Sequence, residues 1–480
     1  MTLKKQTLSG VIWTFTDTFL VKGLSFFAMI LLARWIGPAD FGLIGMIAVF
    51  IAIGKTLTDS GMSNSLIRTK EASESDYSTV FFVNIFMSII VYVAIYYLAP
   101  SIADFFEYKI LIKLIRVYCL IFLFTAVSAV HLTILTKEMK FKQITKINFP
   151  PTIIGAALGL YLGYNGFGVW SIIWMFIVTE LVRSILLLLF SKWQPKFIFS
   201  KSKFKFHFNF GYKLMLSGLI DTVFKNIYNI IIGKYFSAQT LGFYERSKQL
   251  CEYPSSTLTG ILGKVTYPML SKVQDDSVRL ENIYRKLIRI SFFLIAPLML
   301  GLAAIAKPLF LLFLGKDWLP AVLFFQIICL AKILYPIHAF NLNILKVYGR
   351  SDLFLRLEII KKTIVTVSII VAFQFGILGL VWSSVFTSFA SLGVNMYYSS
   401  KLINYPIKEQ LIDLSPILFQ SLATGFLMYY IVNLTFLDNQ IFFQLIAATF
   451  IGLIFHLSIG YLNKKSPLHQ AILLLINRNL

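Results

Sequence analysis

The sequence predicts an all-α integral membrane protein of about fourteen transmembrane helices, built as two related six-helix lobes followed by two further helices. Three observations support this prediction: an apolar composition, an uneven distribution of basic residues, and an internal repeat. Of the 480 residues, 58% are hydrophobic and 14% are charged, and the mean hydropathy is +0.77. Soluble domains are about 45–50% apolar and about 25% charged. A single globular core could not bury this excess of apolar side chains.

Apolar stretches of roughly 20 residues recur along the whole chain, each long enough to cross the hydrocarbon layer as a helix. The first, from about Val11 to Ala33, is too long for a signal peptide and reads as a retained span. The eighth stretch is unusually polar, so twelve or thirteen spans are the alternative. The predicted spans are 10–33, 42–58, 78–98, 114–134, 147–164, 168–190, 211–232, 242–262, 287–306, 320–344, 359–375, 379–398, 413–433 and 441–462.

Basic residues are concentrated in alternate loops. With a cytoplasmic N-terminus, the inside loops and their adjoining span ends hold 30 of the 44 Lys and Arg residues, and the outside ones hold 7. This asymmetry follows the positive-inside rule and places both termini in the cytoplasm. The net charge of +22 is thereby explained by topology, so we expect no nucleic-acid partner. The basic segment from Lys192 to Lys213 could also lie on anionic lipid headgroups.

The sequence carries no motif for a cofactor, a metal ion or a nucleotide. The cysteines Cys119, Cys251 and Cys329 stand singly in apolar stretches, where they read as small interior side chains. P-loop, GxGxxG and HExxH patterns are absent from the sequence. We therefore expect neither a cofactor nor an enzymatic site, and no hydrolysis of ATP by this chain.

Two pairs of similar segments lie six spans apart. Residues 34–42 (RWIGPADFG) follow span 1 and match residues 234–242 (KYFSAQTLG) after span 7, while residues 168–171 (GVWS) match 379–383 (GLVWS). Their constant offset indicates a duplicated six-helix lobe, a known plan of transporters in which the transport path lies between the repeats. The predicted domains are residues 1–205, 206–400 and 401–480.

Polar side chains form helical stripes on spans 1, 2, 7 and 8, which the repeat relates in pairs. Charged groups inside a membrane are costly and generally face the protein interior or a water-filled cavity. We therefore predict a polar cavity lined by these four helices, with surplus cations suited to an anionic substrate. The predicted cavity residues are Lys22, Lys225, Asn229, Arg246, Lys248 and Gln249. The candidates for ion or proton coupling are Asp17, Asp221, Glu245 and Glu252.

An alternative for these charges is mutual neutralisation inside the protein. Asp221 with Lys225 and Lys248 with Glu252 have the i, i+4 spacing of helical ion pairs. Several other intramembrane polar residues are expected to be packing pairs, snorkelling side chains or satisfied interior histidines, with proton coupling as the alternative for the histidines. These residues are Glu180, Arg183, Lys332, His131, His338 and His456.

Five segments stand in a characteristic order along the first twelve predicted helices. They are 32–42 (LARWIGPADFG), 166–171 (GFGVWS), 267–274 (YPMLSKVQ), Lys307-Pro308 and 314–318 (LGKDW). In their order and spacing these segments resemble the Wzx-type polysaccharide flippases, which belong to a superfamily with the multidrug MATE exporters and the lipid II flippases.

This resemblance implies two six-helix lobes that form a V-shaped cavity opening alternately to either side of the bacterial cytoplasmic membrane. It implies an undecaprenyl-diphosphate-linked oligosaccharide as cargo, in O-antigen (lipopolysaccharide), capsule or exopolysaccharide assembly. The expected partners are that lipid-linked cargo, membrane lipid and other membrane proteins of polysaccharide assembly. The acidic residues among the predicted cavity cations depart from a simply positive cavity.

Two other functions are consistent with parts of the sequence. A MATE-like ion-coupled exporter of small molecules would use the same fold, although the basic stripe residues argue against it. A membrane polysaccharide polymerase or glycosyltransferase would need long catalytic loops or a DxD-type metal site. The adjacent pair Asp275-Asp276 lies in a basic predicted cytoplasmic loop, and no long external loop is predicted.

Overall fold

A computed structural model describes residues 13–271, 273–434, 440–464 and 466–470. All regular elements in these ranges are helical, which confirms the predicted all-α class. Contacts divide the chain into two compact units, residues 1–242 (unit 1) and residues 243–480 (unit 2). The predicted domain boundaries at 205 and 400 stay predictions. The predicted start of span 1 at residue 10 and both chain termini lie outside the described residues.

Unit 1 contains ten helices and the beginning of an eleventh. Helix α1 contains a π-helical turn at Thr18–Lys22, and Pro at the first position starts α2. The helices are α1 (Trp13–Trp35), α2 (Pro38–Asp59), α3 (Met62–Arg68), α4 (Glu74–Phe106), α5 (Leu111–Tyr118), α6 (Ile121–Lys137), α7 (Phe141–Tyr164), α8 (Val169–Phe190), α9 (Lys201–Lys225), α10 (Ile227–Tyr235) and the start of α11 (Ala238–Ser271).

Unit 2 contains the rest of α11 and eight further helices. Helix α12 packs along α18, and α16 packs along α17. The helices are α12 (Ser277–Ala304), α13 (Ala306–Phe313), α14 (Ala321–Lys332), α15 (Tyr335–Val347), α16 (Ser351–Phe373), α17 (Gly376–Ser400), α18 (Ile407–Val432) and α19 (Ile441–Leu462), with a 3-10 turn at Lys316–Trp318 before α14.

Ten segments of the described chain are helical, long and apolar enough to cross a membrane. They confirm a multi-pass membrane protein. The other four predicted spans, the fifth, seventh, eighth and eleventh, fall on α7, α9–α10, α11 and α16, which are helical but more polar. Polar stripes on helices that face a protein interior lower hydropathy in this way, so the count of fourteen remains a prediction.

A buried polar cluster fixes the start of α9 against α3 and α4. His207 of α9 lies 3.0 Å from Asp76 of α4 through Nε2, and 2.8 Å from the Ser65 hydroxyl of α3 through Nδ1. Burial lowers the pKa of His207, outweighing the opposing effect of the Asp76 carboxylate. A neutral imidazole fits both contacts, because Nε2–H donates to Asp76 while Nδ1 accepts from Ser65.

Backbones touch one turn further along α9, at Gly211. A Cβ atom on Gly211 would lie 2.5 Å from the carbonyl oxygen of Ser60, and one on Gly61 would lie 2.3 Å from that of Gly211. Gly61 also has a φ of 69°, a conformation that other residues rarely adopt. The predicted seventh span is therefore held in unit 1 against the second and third.

Candidate functional site

The polar stripe of α1 is centred on an irregular turn. The π-helical turn Thr18–Lys22 directly follows Asp17 and ends at Lys22, whose side chain is exposed. Asn148 of α7 donates a hydrogen bond of 3.2 Å to the Asp17 carboxylate. Such π turns are rare and occur frequently at functional sites. The predicted coupling residue Asp17 is thus anchored by a neutral amide, next to an accessible amine.

The predicted seventh span is broken at Asn226, between α9 and α10. The Asn226 side chain donates to the Thr222 carbonyl at 2.8 Å, which satisfies a backbone group at the end of α9. Lys225, the last residue of α9, is exposed, and Asp221 lies one turn earlier on the same face. Asn229 in α10 is only 1% exposed. A cation therefore stands beside a helix irregularity in both α1 and α9, which the repeat relates.

Helix α9 meets α2 through polar groups. The hydroxyls of Thr56 and Thr222 lie 3.5 Å apart. Next to Thr56, Lys55 interacts electrostatically with Glu180 and Arg183 of α8. Glu180 and Arg183 form an ion pair of 2.7 Å, which confirms the expected packing pair.

In unit 2, four predicted site residues form one hydrogen-bonded group on α11. Glu245 accepts from Lys248 at 3.5 Å and from Gln249 at 3.4 Å, and Arg246 donates to Gln249 at 3.4 Å. Arg246 is only 2% exposed, and its guanidinium lies 6.0 Å from the ring centroid of Trp318. Arg246 is therefore an interior cation, whereas Lys248 and Gln249 are more accessible.

Glu252 lies further along α11 and connects to a different helix. It accepts a bond of 2.6 Å from Lys332 of α14, and the Lys332 ammonium lies 5.6 Å from the Tyr335 ring centroid. The sequence spacing suggested Lys248 as a partner of Glu252, and the structure adds Lys332, which was expected only as a packing or snorkelling residue. Beside this pair, the buried sulfur atoms of Cys251 and Cys329 lie 3.2 Å apart.

The repeated segments after spans 1 and 7 contact each other within unit 1. A Cβ atom on Gly42 would lie 1.7 Å from the carbonyl oxygen of Ala238, and one on Gly242 would lie 1.8 Å from that of Pro38. In the repeat, Gly42 matches Gly242 and Pro38 matches Ala238. Each glycine therefore packs on the first residue of the other repeat's helix.

Two polar contacts flank this crossing. Lys234 forms an ion pair of 2.8 Å with Glu107, and the Ala238 amide donates to the Tyr108 hydroxyl at 2.9 Å. The ammonium of Lys234 holds the pKa of the exposed Glu107 carboxyl below its usual range. The end of α10 and the start of α11 are thereby joined to the loop between α4 and α5 on the predicted outer side of unit 1.

Sequence reasoning missed the partners of several site residues. Asn148, Trp318 and Lys332 contact Asp17, Arg246 and Glu252 from other helices. The sequence shows only that each of these three residues is polar or amphipathic and lies in or next to an apolar stretch. This property does not specify a partner. Among the described residues, no three His, Cys, Asp or Glu side chains form a cluster suited to a metal ion.

Comparisons with known proteins assign the chain to a family. A model of the polysaccharide biosynthesis protein family matches residues 31–323, more than half of the chain. The lipopolysaccharide biosynthesis protein WzxC of Escherichia coli K12 is 25% identical over 376 residues, 78% of this chain and 76% of that protein. The teichuronic acid biosynthesis protein TuaB of Bacillus subtilis 168 is 26% identical over 360 residues, 73% of each chain.

Among solved structures, the lipid II flippase MurJ in an inward closed conformation has the same fold. The TM-score is 0.73 at 19% sequence identity, over 94% of this chain and 99% of that one. The resemblance to Wzx-type proteins is confirmed, and the chain belongs to the polysaccharide biosynthesis protein family.

Proposed function

We propose that the protein moves an undecaprenyl-diphosphate-linked oligosaccharide from the inner to the outer leaflet of the bacterial cytoplasmic membrane by alternating access. The product would serve the assembly of O-antigen, capsule or exopolysaccharide, alongside other membrane proteins of that assembly. Membership of the polysaccharide biosynthesis family and the fold shared with MurJ support a lipid-linked cargo. Both termini lie in the cytoplasm in this proposal.

The observation that carries the proposal is the pairing of a cation with a helix irregularity in both α1 and α9. Lys22 ends the π turn of α1, and Lys225 directly precedes the break at Asn226. In transporters, interrupted helices line the substrate site, and their irregular backbone is tolerated where it faces a cavity. Two repeat-related spans that can bend next to an amine suit a protein that binds an anionic group and then changes conformation.

The cargo's diphosphate accounts for the charges of the proposed site. Lys22 and Lys225 of unit 1 are exposed and Lys248 of unit 2 is partly so, and in this proposal each offers its ammonium group to phosphate oxygens. The buried Arg246 lies next to Trp318 and donates to Gln249. It is therefore better suited to positioning Gln249 within unit 2 than to contacting the cargo. The exposed Gln249 would add hydrogen bonds to the sugar, whereas Asn229 is buried in this conformation.

Transport against a gradient needs a source of free energy, for which we propose ion or proton coupling through the acidic residues. Glu245 and Glu252 each accept from a lysine, whereas the hydrogen-bond partner of Asp17 is the neutral amide of Asn148. Among the described residues, a neutral side chain at position 17 would therefore leave no lysine unpaired. Asp17 is our first candidate for coupling, followed by Asp221, Glu245 and Glu252.

The direct test is the sidedness of a lipid-linked oligosaccharide in sealed vesicles that contain the purified full chain. An added glycosidase that cannot cross the membrane cleaves only outward-facing sugar, so flipping increases the cleaved fraction over time. Vesicles with the protein should exchange the cargo faster than protein-free vesicles. A fluorescent phosphatidylglycerol without sugar should not be exchanged, and equal rates with and without protein would refute the function.

A further inference from the structure

His338 of α15 is the centre of a hydrogen-bonded chain that joins three segments of unit 2. Its Nδ1 atom lies 2.8 Å from the Asn395 amide nitrogen of α17. Its Nε2 atom lies 3.3 Å from the Ser388 hydroxyl, which is two turns earlier on α17. Ser388 in turn donates to the Ala331 carbonyl at 2.8 Å, close to the end of α14.

These contacts define the protonation state of the imidazole. An amide nitrogen can only donate, so Nδ1 of His338 accepts from Asn395 and carries no proton. Nε2 therefore carries the proton and donates to Ser388. The structure thus holds the neutral form of His338, with every bond in the chain running towards the Ala331 carbonyl.

The oxygen atom of the Asn395 amide is a suitable acceptor for the protonated form of His338. Asn395 is 1% exposed, and its Oδ1 atom has no hydrogen-bond partner among the described residues. A buried acceptor left in this state costs roughly 1–3 kcal/mol. Rotation of the amide by half a turn would bring Oδ1 to Nδ1, where it could accept from a protonated imidazole in a charge-assisted bond.

The charged groups around His338 come from three neighbouring helices. Lys332 of α14 and Lys361 of α16 both act on it electrostatically. Each lysine is itself paired, Lys332 with Glu252 at 2.6 Å and Lys361 with Glu358 at 2.5 Å. Helix α12 contributes the Tyr284 hydroxyl, which donates to Asn341 of α15, and α17 contributes the uncharged Asn395 and Ser388.

The hydrogen-bonded chain around His338 lies at the break in the predicted tenth span. Helix α14 ends at Lys332 and α15 begins at Tyr335, so backbone carbonyls near Ala331 lose partners within the helix. Ser388 supplies one such partner. We propose that His338 is a proton-binding site of unit 2, in which the orientation of the Asn395 amide follows the charge of the imidazole at the break between α14 and α15.

The consequence for transport rests on the function proposed above. A proton bound at His338 adds one positive charge beside a bend of a transmembrane segment, and the Asn395 amide changes from donor to acceptor. The two states differ in the bonds that tie α15 to α17. A proton gradient could thereby bias the conformation of unit 2.

The test is a histidine NMR titration of the purified full chain in nanodiscs, with labelled imidazole carbons. The variant His338→Gln assigns the His338 signal by its loss. We expect that signal to titrate reversibly when the pH is varied. The variant Asn395→Leu should lower the titration midpoint, and Asn395→Asp should raise it, each by about one pH unit or more because the acceptor is removed or becomes anionic. Should these variants fail to fold, Ser388→Ala, which removes the acceptor of Nε2–H, should also lower the midpoint.

Asn433→Leu is the matched control, because Asn433 donates to the Tyr429 carbonyl at the end of α18 and should leave the midpoint unchanged. A His338 signal that does not titrate, or one with the same midpoint in Asn395→Leu and Ser388→Ala, would overturn the proposal. A titrating His338 in a protein that flips no cargo would refute the proposed function alone. Flipping by a protein in which the His338 signal does not titrate would refute the proton site alone.

Discussion

Gly42 and Gly242 occupy equivalent positions of the internal repeat, and each lies against the first residue of the other's helix. The approach is so close that a Cβ atom on either glycine would lie within 1.8 Å of a backbone carbonyl oxygen. A contact that uses the same two positions of both repeats is self-complementary. Any motion that separates the starts of α2 and α11 must break both halves of it together.

Substitution of Gly42 should therefore disrupt this crossing. In Gly42→Ala, the added methyl group meets the Ala238 backbone, which cannot move as a flexible side chain can. We expect a loss of about 1–3 kcal/mol of stability, the usual cost of overpacking, and a lower melting temperature in detergent. Gly393→Ala is the matched control, since a Cβ atom on that helical glycine meets nothing within 4 Å. Equal melting temperatures for the two variants would show that Gly42 does not lie against the Ala238 backbone.

Acid should weaken the attachment of α9 through His207. Because burial lowers the pKa of His207 in the folded protein, the unfolded chain, with a pKa near 6.5, binds the proton more readily. The stabilisation that neutral His207 provides is therefore complete above about pH 6.5 and is lost as the pH falls towards the pKa of His207 in the folded protein. For one proton, this loss is no more than about 1.4 kcal/mol per pH unit. His207→Gln should flatten the dependence of the melting temperature on pH between about 7 and 5. His469→Gln, outside this cluster, should not flatten it.

Cys251 and Cys329 should form a disulfide when a membrane-permeant oxidant such as copper phenanthroline removes two electrons and two protons from the thiols. Their sulfur atoms are already 3.2 Å apart. Titration of the denatured protein should show the free thiols falling from three to one. In Cys119→Ser they should fall from two to none, and in Cys329→Ser they should stay at two. Retention of all three thiols after oxidation would show that α11 and α14 do not pack as described.

Asp17→Asn should separate coupling from flipping. The new amide can still hydrogen-bond to Asn148, so the fold should persist, but the side chain can no longer carry charge. Moving one charge through 100 mV provides ~2.3 kcal/mol, or at most roughly a fifty-fold acceleration. We expect flipping by the variant to lose its response to an imposed ion or proton gradient and to retain its rate without one. Asp104→Asn, in an exposed position of α4, should respond as the wild type does. A gradient response that survives in Asp17→Asn would remove Asp17 from the coupling site.

The sequence was sufficient to predict the helical class, the membrane and the family, because apolar length, loop charge and repeated segments are local properties of the chain. The stripe on α11 predicted that Glu245, Lys248 and Gln249 share a helix face, and the structure joins them with Arg246 in one group. The π turn in α1 and the break at Asn226 were not predictable in this way. Both depend on which backbone groups find partners in neighbouring helices.

The sequence also could not predict which helices contact each other. The similarity of residues 34–42 and 234–242 indicated a duplication but gave no reason for the two copies to touch. The pairs Glu252–Lys332 and His338–Asn395 lie 80 and 57 positions apart, and each joins helices whose packing only the folded chain defines. Single cysteines likewise gave no sign that Cys251 would meet Cys329.

The most direct test of the central claim is the rate at which lipid-linked oligosaccharide changes sides in vesicles containing the variant Lys22→Ala/Lys225→Ala/Lys248→Ala. Hydrogen bonds to charged groups are worth about 1.5–3 kcal/mol, so the loss of even one phosphate contact should slow flipping at least about tenfold. The matched control replaces three exposed lysines away from the site, Lys70, Lys109 and Lys464, with alanine and should flip at the wild-type rate. A triple variant that flips its cargo as fast as the wild type would contradict the claim that these cations receive the diphosphate.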